Sequence, residues 1–127
     1  MPAHDLSLLI DCARQAGQVA LSYTGATALR WDKPQGAGPV TEADLAVNAM
    51  LHERLMQARP DYGWLSEESD DNAVRLGQSH VFIIDPIDGT RSFIEGADTW
   101  SHSLAVARDG EIIAAVVYLP MLDRLYA

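Results

Sequence analysis

The first part of the chain shows the apolar spacing of an amphipathic helix. Apolar residues recur there at intervals of three and four, at Leu6, Leu9, Ile10, Ala13, Ala16, Val19 and Ala20. This spacing predicts a helix from Leu6 to about Tyr23. A second helix is indicated by Thr41-x-x-Asp44, whose side chains can satisfy free backbone N–H groups as a capping box. We expect that helix to end near Arg59-Pro60.

The second part of the chain carries the patterns of strands. Val81-Phe82-Ile83-Ile84 is a wholly apolar run, typical of a strand buried on both faces, and Asp85 follows at its end. Residues 101–107 and 111–118 are two strand-like runs joined by a turn signal, which predicts an antiparallel hairpin. Residues 125–127 begin one more strand, whereas the prolines and glycines of residues 33–39 predict a loop. The predicted fold class is α+β, with two helices packed on an antiparallel sheet.

Length and composition agree with one globular domain. The chain has 127 residues, of which 48% are hydrophobic and 21% charged, and this balance supports a packed core. The single cysteine, Cys12, excludes an internal disulfide and suits a reducing compartment, so the expected location is the cytoplasm. The longest nearly apolar run, Ile112 to Met121, is about half the length of a membrane span. We therefore expect no membrane partner.

The net charge of −9 is distributed unevenly along the chain. Such a charge argues against a nucleic-acid polymer or an anionic membrane as a partner, and it favours metal cations. Half of the eighteen acidic residues lie between Asp61 and Asp98, where Arg75 and Arg91 are the only basic residues. The candidate chemistry is concentrated in this segment.

The hexapeptide Asp85-Pro86-Ile87-Asp88-Gly89-Thr90 carries the strongest signal of chemistry. Its two carboxylates, held near each other by a stiff turn, would repel by about 4 kcal/mol at about 4 Å and an effective dielectric constant of about 20. A divalent cation offsets that repulsion, and carboxylates with a turn carbonyl such as that of Ile87 select Mg²⁺, Mn²⁺ or Ca²⁺ over zinc. If a helix starts after Gly89, its free N–H groups form an anion site beside the metal. The alternative is a turn in which the two aspartates only cap a helix.

Other polar residues allow two interpretations each. Glu67 or Glu68 can point at the same pocket, or both can belong to a solvated acidic loop. Asp44 completes the capping box, which can be its whole role. Lys33, the only lysine of the chain, and Arg91 are either exposed or bring positive charge to a phosphate. The histidines show no ligand spacing and are interpreted as surface or packing residues: His4, His52, His80 and His102.

This arrangement resembles the inositol monophosphatase family of metal-dependent, lithium-sensitive phosphomonoesterases. The resemblance covers essentially the whole chain and rests on segments in the family's order and spacing: Lys33, Val40-Thr41-x-x-Asp44, Leu65-Ser66-Glu67-Glu68-Ser69 and Ile84-Asp85-Pro86-Ile87-Asp88-Gly89-Thr90. The family usually has glycine where this chain has Ser66. The resemblance implies the layered fold shared with fructose-bisphosphatase-like sugar phosphatases, with residues 1–127 as its N-terminal metal- and phosphate-binding domain. The family's C-terminal α/β domain, which holds a further aspartate ligand, is absent from this chain.

The resemblance also implies metal ligands. Glu67, Asp85 and the carbonyl of Ile87 would hold one Mg²⁺. Asp85 and Asp88 would hold a second ion, and Mn²⁺ is a possible substitute for Mg²⁺ at both positions.

Substrate and catalytic residues follow from the same resemblance. Gly89 and Thr90 would receive the phosphate through backbone N–H groups, and Lys33 and Arg91 would lie near it. The residues that would position and deprotonate the attacking water are Glu67, Thr90 and Asp44.

The implied activity is a Mg²⁺-dependent phosphomonoesterase that acts on a small phosphorylated polyol or nucleotide. Charge neutralisation and positioning supply most of the acceleration in phosphate-ester hydrolysis, so no covalent nucleophile is needed. The candidate substrates are inositol monophosphate and adenosine 3′,5′-bisphosphate, and Arg91 favours the second, as in the 3′(2′),5′-bisphosphate nucleotidase branch. The resemblance implies a homodimer for the full-length protein and, because the further aspartate ligand lies in the C-terminal half, little activity for the isolated 127 residues. The alternative is a non-catalytic acidic module for cation binding or assembly.

Overall fold

Two long helices and a five-stranded sheet make up most of the described chain. The computed structural model describes residues 2–23, 29–32, 39–69 and 77–127. In chain order the elements are α1 (Pro2–Leu21), β1 (Arg30–Asp32), β2 (Pro39–Thr41), α2 (Glu42–Ala58), β3 (Gly63–Ser66), β4 (His80–Asp88), α3 (Thr90–Glu95), β5 (Ser101–Arg108), β6 (Glu111–Leu119) and β7 (Arg124–Tyr126). None of the helices described is both long and apolar enough to cross a bilayer.

Both predicted helices are present. α1 starts a turn earlier than its apolar spacing indicated and ends at Leu21. α2 follows the N-cap residue Thr41, which forms the predicted capping box with Asp44, and it ends at Ala58 with Arg59 as its C-cap. The predicted loop lies outside the described residues, except for its last residue, which begins β2. β2 pairs with β1 in a small antiparallel hairpin that the sequence did not indicate.

The large sheet is mixed, and this corrects the predicted antiparallel sheet within the confirmed α+β class. The strand order is β3-β4-β5-β6-β7. β4, β5, β6 and β7 pair antiparallel in sequence, and they include the predicted hairpin of β5 and β6. β3 instead pairs parallel with β4, with Ser66 opposite Ile84. A parallel pair needs a connection of roughly a dozen residues, and residues 67–79 provide that length.

The helices cover one face of the large sheet. α1 packs on β5 and β6, α2 packs on β4, and the two helices contact each other. Their apolar faces meet the sheet in a buried core that includes Leu9, Leu51, Phe82, Leu104 and Val116. On the opposite face Leu65, Ile83, Ala105 and Ala115 follow one another across four strands, and Ile83 and Ala115 are exposed.

A buried ion pair joins the ends of the two helices. Asp5 on α1 is 1% exposed and accepts hydrogen bonds from Arg59 Nε and the Tyr62 hydroxyl, each at 2.9 Å. Because these partners follow α2, the contact fixes how α1 lies on α2. This contact lies at the C-terminal end of α2, away from the end that begins at Thr41.

Candidate metal and phosphate site

The site begins at a bulge near the end of β4. Asp85 pairs with Ser103 of β5 and Asp88 pairs with Ser101, so Pro86 and Ile87 together face a single residue, His102. β4 thus runs through the whole Asp85–Asp88 segment, whereas the apolar run predicted that it would end at Ile84. A bulge bends its strand and redirects the side chains beside it. Here it sets the two aspartates on either side of the bend.

His102 closes the bulge from beneath. It is fully buried, and its Nδ1 donates a hydrogen bond to the carbonyl oxygen of Pro86. Burial lowers the pKa of His102 to about 4, against the opposing effect of that hydrogen bond. The ring packs edge-on to Trp100, which packs edge-on to Phe93 of α3. Of the two roles predicted for the histidines, surface or packing, His102 has the second, and the prediction did not include its contact with Pro86.

The carboxyl group of Asp85 lies in a strongly negative environment. Burial raises its pKa from 3.8 to about 7, and repulsion from nearby carboxylates adds to the effect. Those carboxylates belong, in decreasing order of effect, to Asp88, Glu67, Glu68 and Asp44. The structure therefore brings the acidic residues of three separate segments within electrostatic range of one another. This environment therefore favours the protonated form of Asp85 more than that of a free aspartate.

The position of Glu67 follows from the parallel pairing of β3 with β4. Since Ser66 lies opposite Ile84, the next residues along the two adjacent strands are Glu67, just past the end of β3, and Asp85, where the bulge of β4 begins. The backbone N–H of Glu67 donates to the carbonyl oxygen of Ile84 at 3.1 Å, which continues the ladder by one step. The Glu67 side chain is exposed at this edge of the sheet.

The turn that carries Glu67 is held from α2 through Asn48. Ser66 Oγ donates to Asn48 Oδ1 at 2.5 Å, and Asn48 Nδ2 donates to Ser69 Oγ at 2.9 Å. Ser66 Oγ also accepts a hydrogen bond from the backbone N–H of Glu68 at 3.2 Å. Sequence reasoning did not find Asn48, because its partners lie 18 and 21 residues away along the chain.

Asp44 joins α2 to the start of α3. It is completely buried, and its Oδ2 accepts hydrogen bonds from the N–H and hydroxyl groups of Thr41 at 2.9 and 2.7 Å. Its Oδ1 accepts a hydrogen bond from the Thr90 hydroxyl at 2.9 Å, and that hydroxyl also lies 3.3 Å from the carbonyl oxygen of Ile87. Asp44 is therefore both a capping residue and a partner of the Asp85–Thr90 segment.

Gly89 and Thr90 form the start of α3. Gly89 is the N-cap residue and has a φ of 87°, in the left-handed region that favours glycine. A Cβ atom at this position would lie 3.4 Å from the Cα of Trp100. The backbone N–H groups at a helix start have no partner within the helix, so this corner offers donors to an anion.

Of the two basic residues predicted to lie near the phosphate, Arg91 and Lys33, the structure describes only Arg91. Arg91 is exposed on α3 and lines a cleft of about 390 Å³ that also contains Arg30, Asp32, Pro39, Ile94 and Glu95. Lys33 lies outside the described residues. Among the described residues, the basic side chains that line this cleft are Arg30 and Arg91.

The donor atoms at this site fit a hard divalent cation. All of them are carboxylate or carbonyl oxygens, the ligands that Mg²⁺, Mn²⁺ and Ca²⁺ prefer. Burial, and after it repulsion from the neighbouring carboxylates, raises the pKa of Asp85, and a bound cation would oppose both effects by favouring the ionised carboxylate. Among the described residues, no three His, Cys, Asp or Glu side chains form a closed group that could hold a metal ion as they stand. The fit therefore rests on donor chemistry and charge.

Comparisons with known proteins identify the family. The family model for the inositol monophosphatase family matches residues 2–127. The chain is 31% identical to the extragenic suppressor protein SuhB of Bartonella henselae, with a TM-score of 0.87 over 96% of this chain and 47% of that one. This chain belongs to the inositol monophosphatase family, and the resemblance stated from the sequence is confirmed.

The curated relatives carry several different names. The chain is 35% identical to an inositol-1-monophosphatase of Rhizobium meliloti, over 95% of this chain and 46% of the relative. It is 36% identical to a histidinol-phosphatase of Mycobacterium tuberculosis, over 98% and 47%. It is 32% identical to the 3′(2′),5′-bisphosphate nucleotidase CysQ of Salmonella typhimurium, over 95% and 50%. The chain thus spans about half the length of the relatives it matches, and those relatives are named phosphatases.

Proposed function

We propose that the protein is a Mg²⁺-dependent phosphomonoesterase that hydrolyses a small phosphorylated substrate. The observation that carries the proposal is the position of Asp85, whose carboxyl group is half-buried among four other carboxylates at the start of a bulge. Such an arrangement costs free energy unless a cation neutralises it. The names of the curated relatives support the same class of activity.

The metal ligands in this proposal are oxygens of the described site. Glu67, Asp85 and the Ile87 carbonyl would hold one Mg²⁺, and Asp85 with Asp88 would hold a second. Bound Mg²⁺ would supply charge neutralisation on the phosphate and would make a water molecule more acidic. Mn²⁺ has the same preference for oxygen ligands and would substitute for it.

The chain's own residues would orient the phosphate and the water. The N–H groups of Gly89 and Thr90 would donate to the phosphate oxygens, and Lys33 would lie close to them. The Thr90 hydroxyl donates to Asp44, so its lone pairs remain available to accept a hydrogen bond from the attacking water. Glu67 would accept the water's other proton, and Asp44 would hold the Thr90 hydroxyl in this orientation.

We further propose that residues 1–127 act as the metal- and phosphate-binding domain of this enzyme. Its exposed apolar sheet face, around Ile83 and Ala115, would pack against a second α/β domain like that of the family. The proposal includes a homodimer and a cytoplasmic location. Sedimentation and cell fractionation test these last two points.

Exchange of one metal ligand tests the activity. In the protein as encoded, including any residues beyond Ala127, Asp88→Asn should lower kcat/KM at least about 100-fold, because several kcal/mol of charge stabilisation would be lost. Asp98→Asn makes the same chemical change at an exposed residue outside the site and should leave kcat/KM unchanged. Full phosphatase activity in Asp88→Asn would support the non-catalytic alternative instead.

The finer choice of substrate concerns Arg91. Its charge beside the phosphate corner favours a substrate with a second anionic group, such as adenosine 3′,5′-bisphosphate. A panel of inositol 1-phosphate, adenosine 3′,5′-bisphosphate and histidinol phosphate tests this preference. Arg91→Ala should raise KM at least about tenfold for the bisphosphate and leave KM for the monophosphates unchanged, since one charge-assisted hydrogen bond is worth about 1.5–3 kcal/mol. Equal changes for all three substrates would contradict it.

A further inference from the structure

We propose that Asn48 is a positioning residue that holds the turn of residues 66–69, and with it Glu67, in a fixed position relative to Asp44 and Thr90. This inference rests on the proposed function, because it assigns to Asn48 the alignment of Glu67, a proposed metal ligand, with Asp44 and Thr90, which would orient the water. Asn48 itself touches neither metal nor substrate in this role.

The contacts of Asn48 span the turn. Its carbonyl oxygen accepts a hydrogen bond from the Ser66 hydroxyl at 2.5 Å, and its amide group donates to the Ser69 hydroxyl at 2.9 Å. Asn48 and Ser66 are 9% and 7% exposed, so water competes little for these bonds. A single side chain thus binds the residues at both ends of the turn.

The backbone inside the turn depends on the same bonds. The N–H of Glu68 donates to Ser66 Oγ at 3.2 Å, and the N–H of Ser69 donates to the Ser66 carbonyl at 3.4 Å. The Ser69 hydroxyl also accepts a hydrogen bond from Trp64 Nε1 at 3.1 Å. If the Ser66 and Ser69 hydroxyls lose their partner on α2, the turn loses both of the hydrogen bonds that join it to Asn48.

The geometry of α2 explains why Asn48 aligns two parts of the site. Asp44 and Asn48 are four residues apart on one helix, so they lie on the same face and about 6 Å apart along its axis. Asp44 binds Thr90 at the start of α3, and Asn48 binds the turn after β3. One face of α2 therefore holds both Thr90, through Asp44, and the turn that carries Glu67, through Asn48.

The test compares three variants in the protein as encoded. Asn48→Leu removes both hydrogen bonds and keeps the branching of the side chain at Cγ, and Ser66→Ala removes one of the bonds without adding volume should the larger leucine fold poorly. Tyr62→Phe is the matched control, because it deletes a part-buried hydrogen bond to Asp5 at the far end of the helix pair. All three should lose some stability, so stability alone does not decide the question.

Hydrogen exchange of the metal-free protein provides the first measurement. Asn48→Leu and Ser66→Ala should increase exchange of the Glu67, Glu68 and Ser69 amides at least about tenfold relative to Tyr62→Phe, after correction for global stability. Unchanged exchange at these amides would overturn the inference. This result does not depend on the enzyme being active, so it separates the inference from the proposed function.

Mn²⁺ binding, followed by electron paramagnetic resonance, provides the second measurement. Residues that orient a metal ligand typically affect affinity about 10–100-fold, so Asn48→Leu should raise the Kd for Mn²⁺ by at least about tenfold. Tyr62→Phe should bind Mn²⁺ like the wild type. A Kd for Asn48→Leu equal to that of Tyr62→Phe would overturn the inference, whereas a wild type that binds no Mn²⁺ would overturn the proposed function.

Discussion

The Nδ1 atom of His102 donates a hydrogen bond to the carbonyl oxygen of Pro86, from the one β5 residue that faces two residues of β4. Proline has no N–H, and at a bulge the backbone ladder leaves groups unpaired. A side chain from the neighbouring strand therefore provides the partner that the backbone lacks. The contact lies in the bulge between Asp85 and Asp88.

Replacing His102 by phenylalanine should show how much this hydrogen bond contributes to the free energy of unfolding. His102→Phe keeps the aromatic packing against Trp100 but removes the donor to Pro86. We expect the free energy of unfolding at pH 7 to fall by about 1 kcal/mol, the usual net contribution of one hydrogen bond. Urea denaturation measures the change. His52→Phe, at an exposed position on α2, should change stability by less than about 0.5 kcal/mol.

The pKa values of His102 and Asp85 predict opposing effects of pH on stability. His102 has a folded pKa of about 4, below 6.5, so its contribution is complete above pH 6.5 and is lost as pH falls towards 4. Asp85 has a folded pKa of about 7, above 3.8, so its contribution is complete below pH 3.8 and is lost as pH rises through 7. Between these values the two contributions oppose each other in the wild type.

Asp85→Asn should expose the effect of His102 alone. Between pH 4 and pH 6.5 the free energy of unfolding of Asp85→Asn should increase by about 3 kcal/mol more than that of the double variant Asp85→Asn with His102→Phe. This is the increase expected for a histidine whose pKa is 6.5 in the unfolded protein and about 4 in the folded protein. Urea denaturation at several pH values measures this difference. A difference that stays constant with pH would show that His102 titrates normally in the folded protein.

Local patterns predicted much of this site, and contacts across the fold produced the rest. The Thr41–Asp44 capping box and the Asp85–Asp88 segment each lie within four residues, so spacing alone indicated them. The partner of Thr90, by contrast, is Asp44, which lies 46 residues away. Such a contact depends on how α2 lies on the sheet.

The parallel pairing of β3 and the bulge in β4 were missed for related reasons. A parallel partner is chosen through a long connection, which leaves no turn signal next to the strand. Pro86 also suggested that β4 had ended, although the bulge allows a proline within the strand. His102 could be found only after the register of β4 and β5 was known.

Metal binding should release a proton from Asp85. Because the pKa of Asp85 is about 7 without metal, a cation that uses its carboxylate must displace the proton below that pH. We expect the affinity for Mg²⁺ to rise about tenfold per pH unit from pH 5 to 6.5 and to level off above about pH 7.5. Calorimetry in buffers of different ionisation enthalpy counts the protons released. In Asp85→Asn the release should disappear, and a wild type that releases no proton at pH 6 would contradict the assignment of Asp85 as a ligand.

The Thr90 hydroxyl should matter for turnover more than for binding. Thr90→Val keeps the shape and the backbone N–H of the residue but removes the hydroxyl that donates to Asp44 at 2.9 Å. The hydroxyl orients the attacking water, and misplacing a reacting group by about 1 Å costs about 10²-fold in rate, so kcat should fall about 100-fold. KM should change less than about threefold, because the backbone donors remain. Thr90→Ser restores the hydroxyl and should recover most of kcat, whereas a Thr90→Val enzyme with kcat near that of the wild type would remove Thr90 from the catalytic machinery.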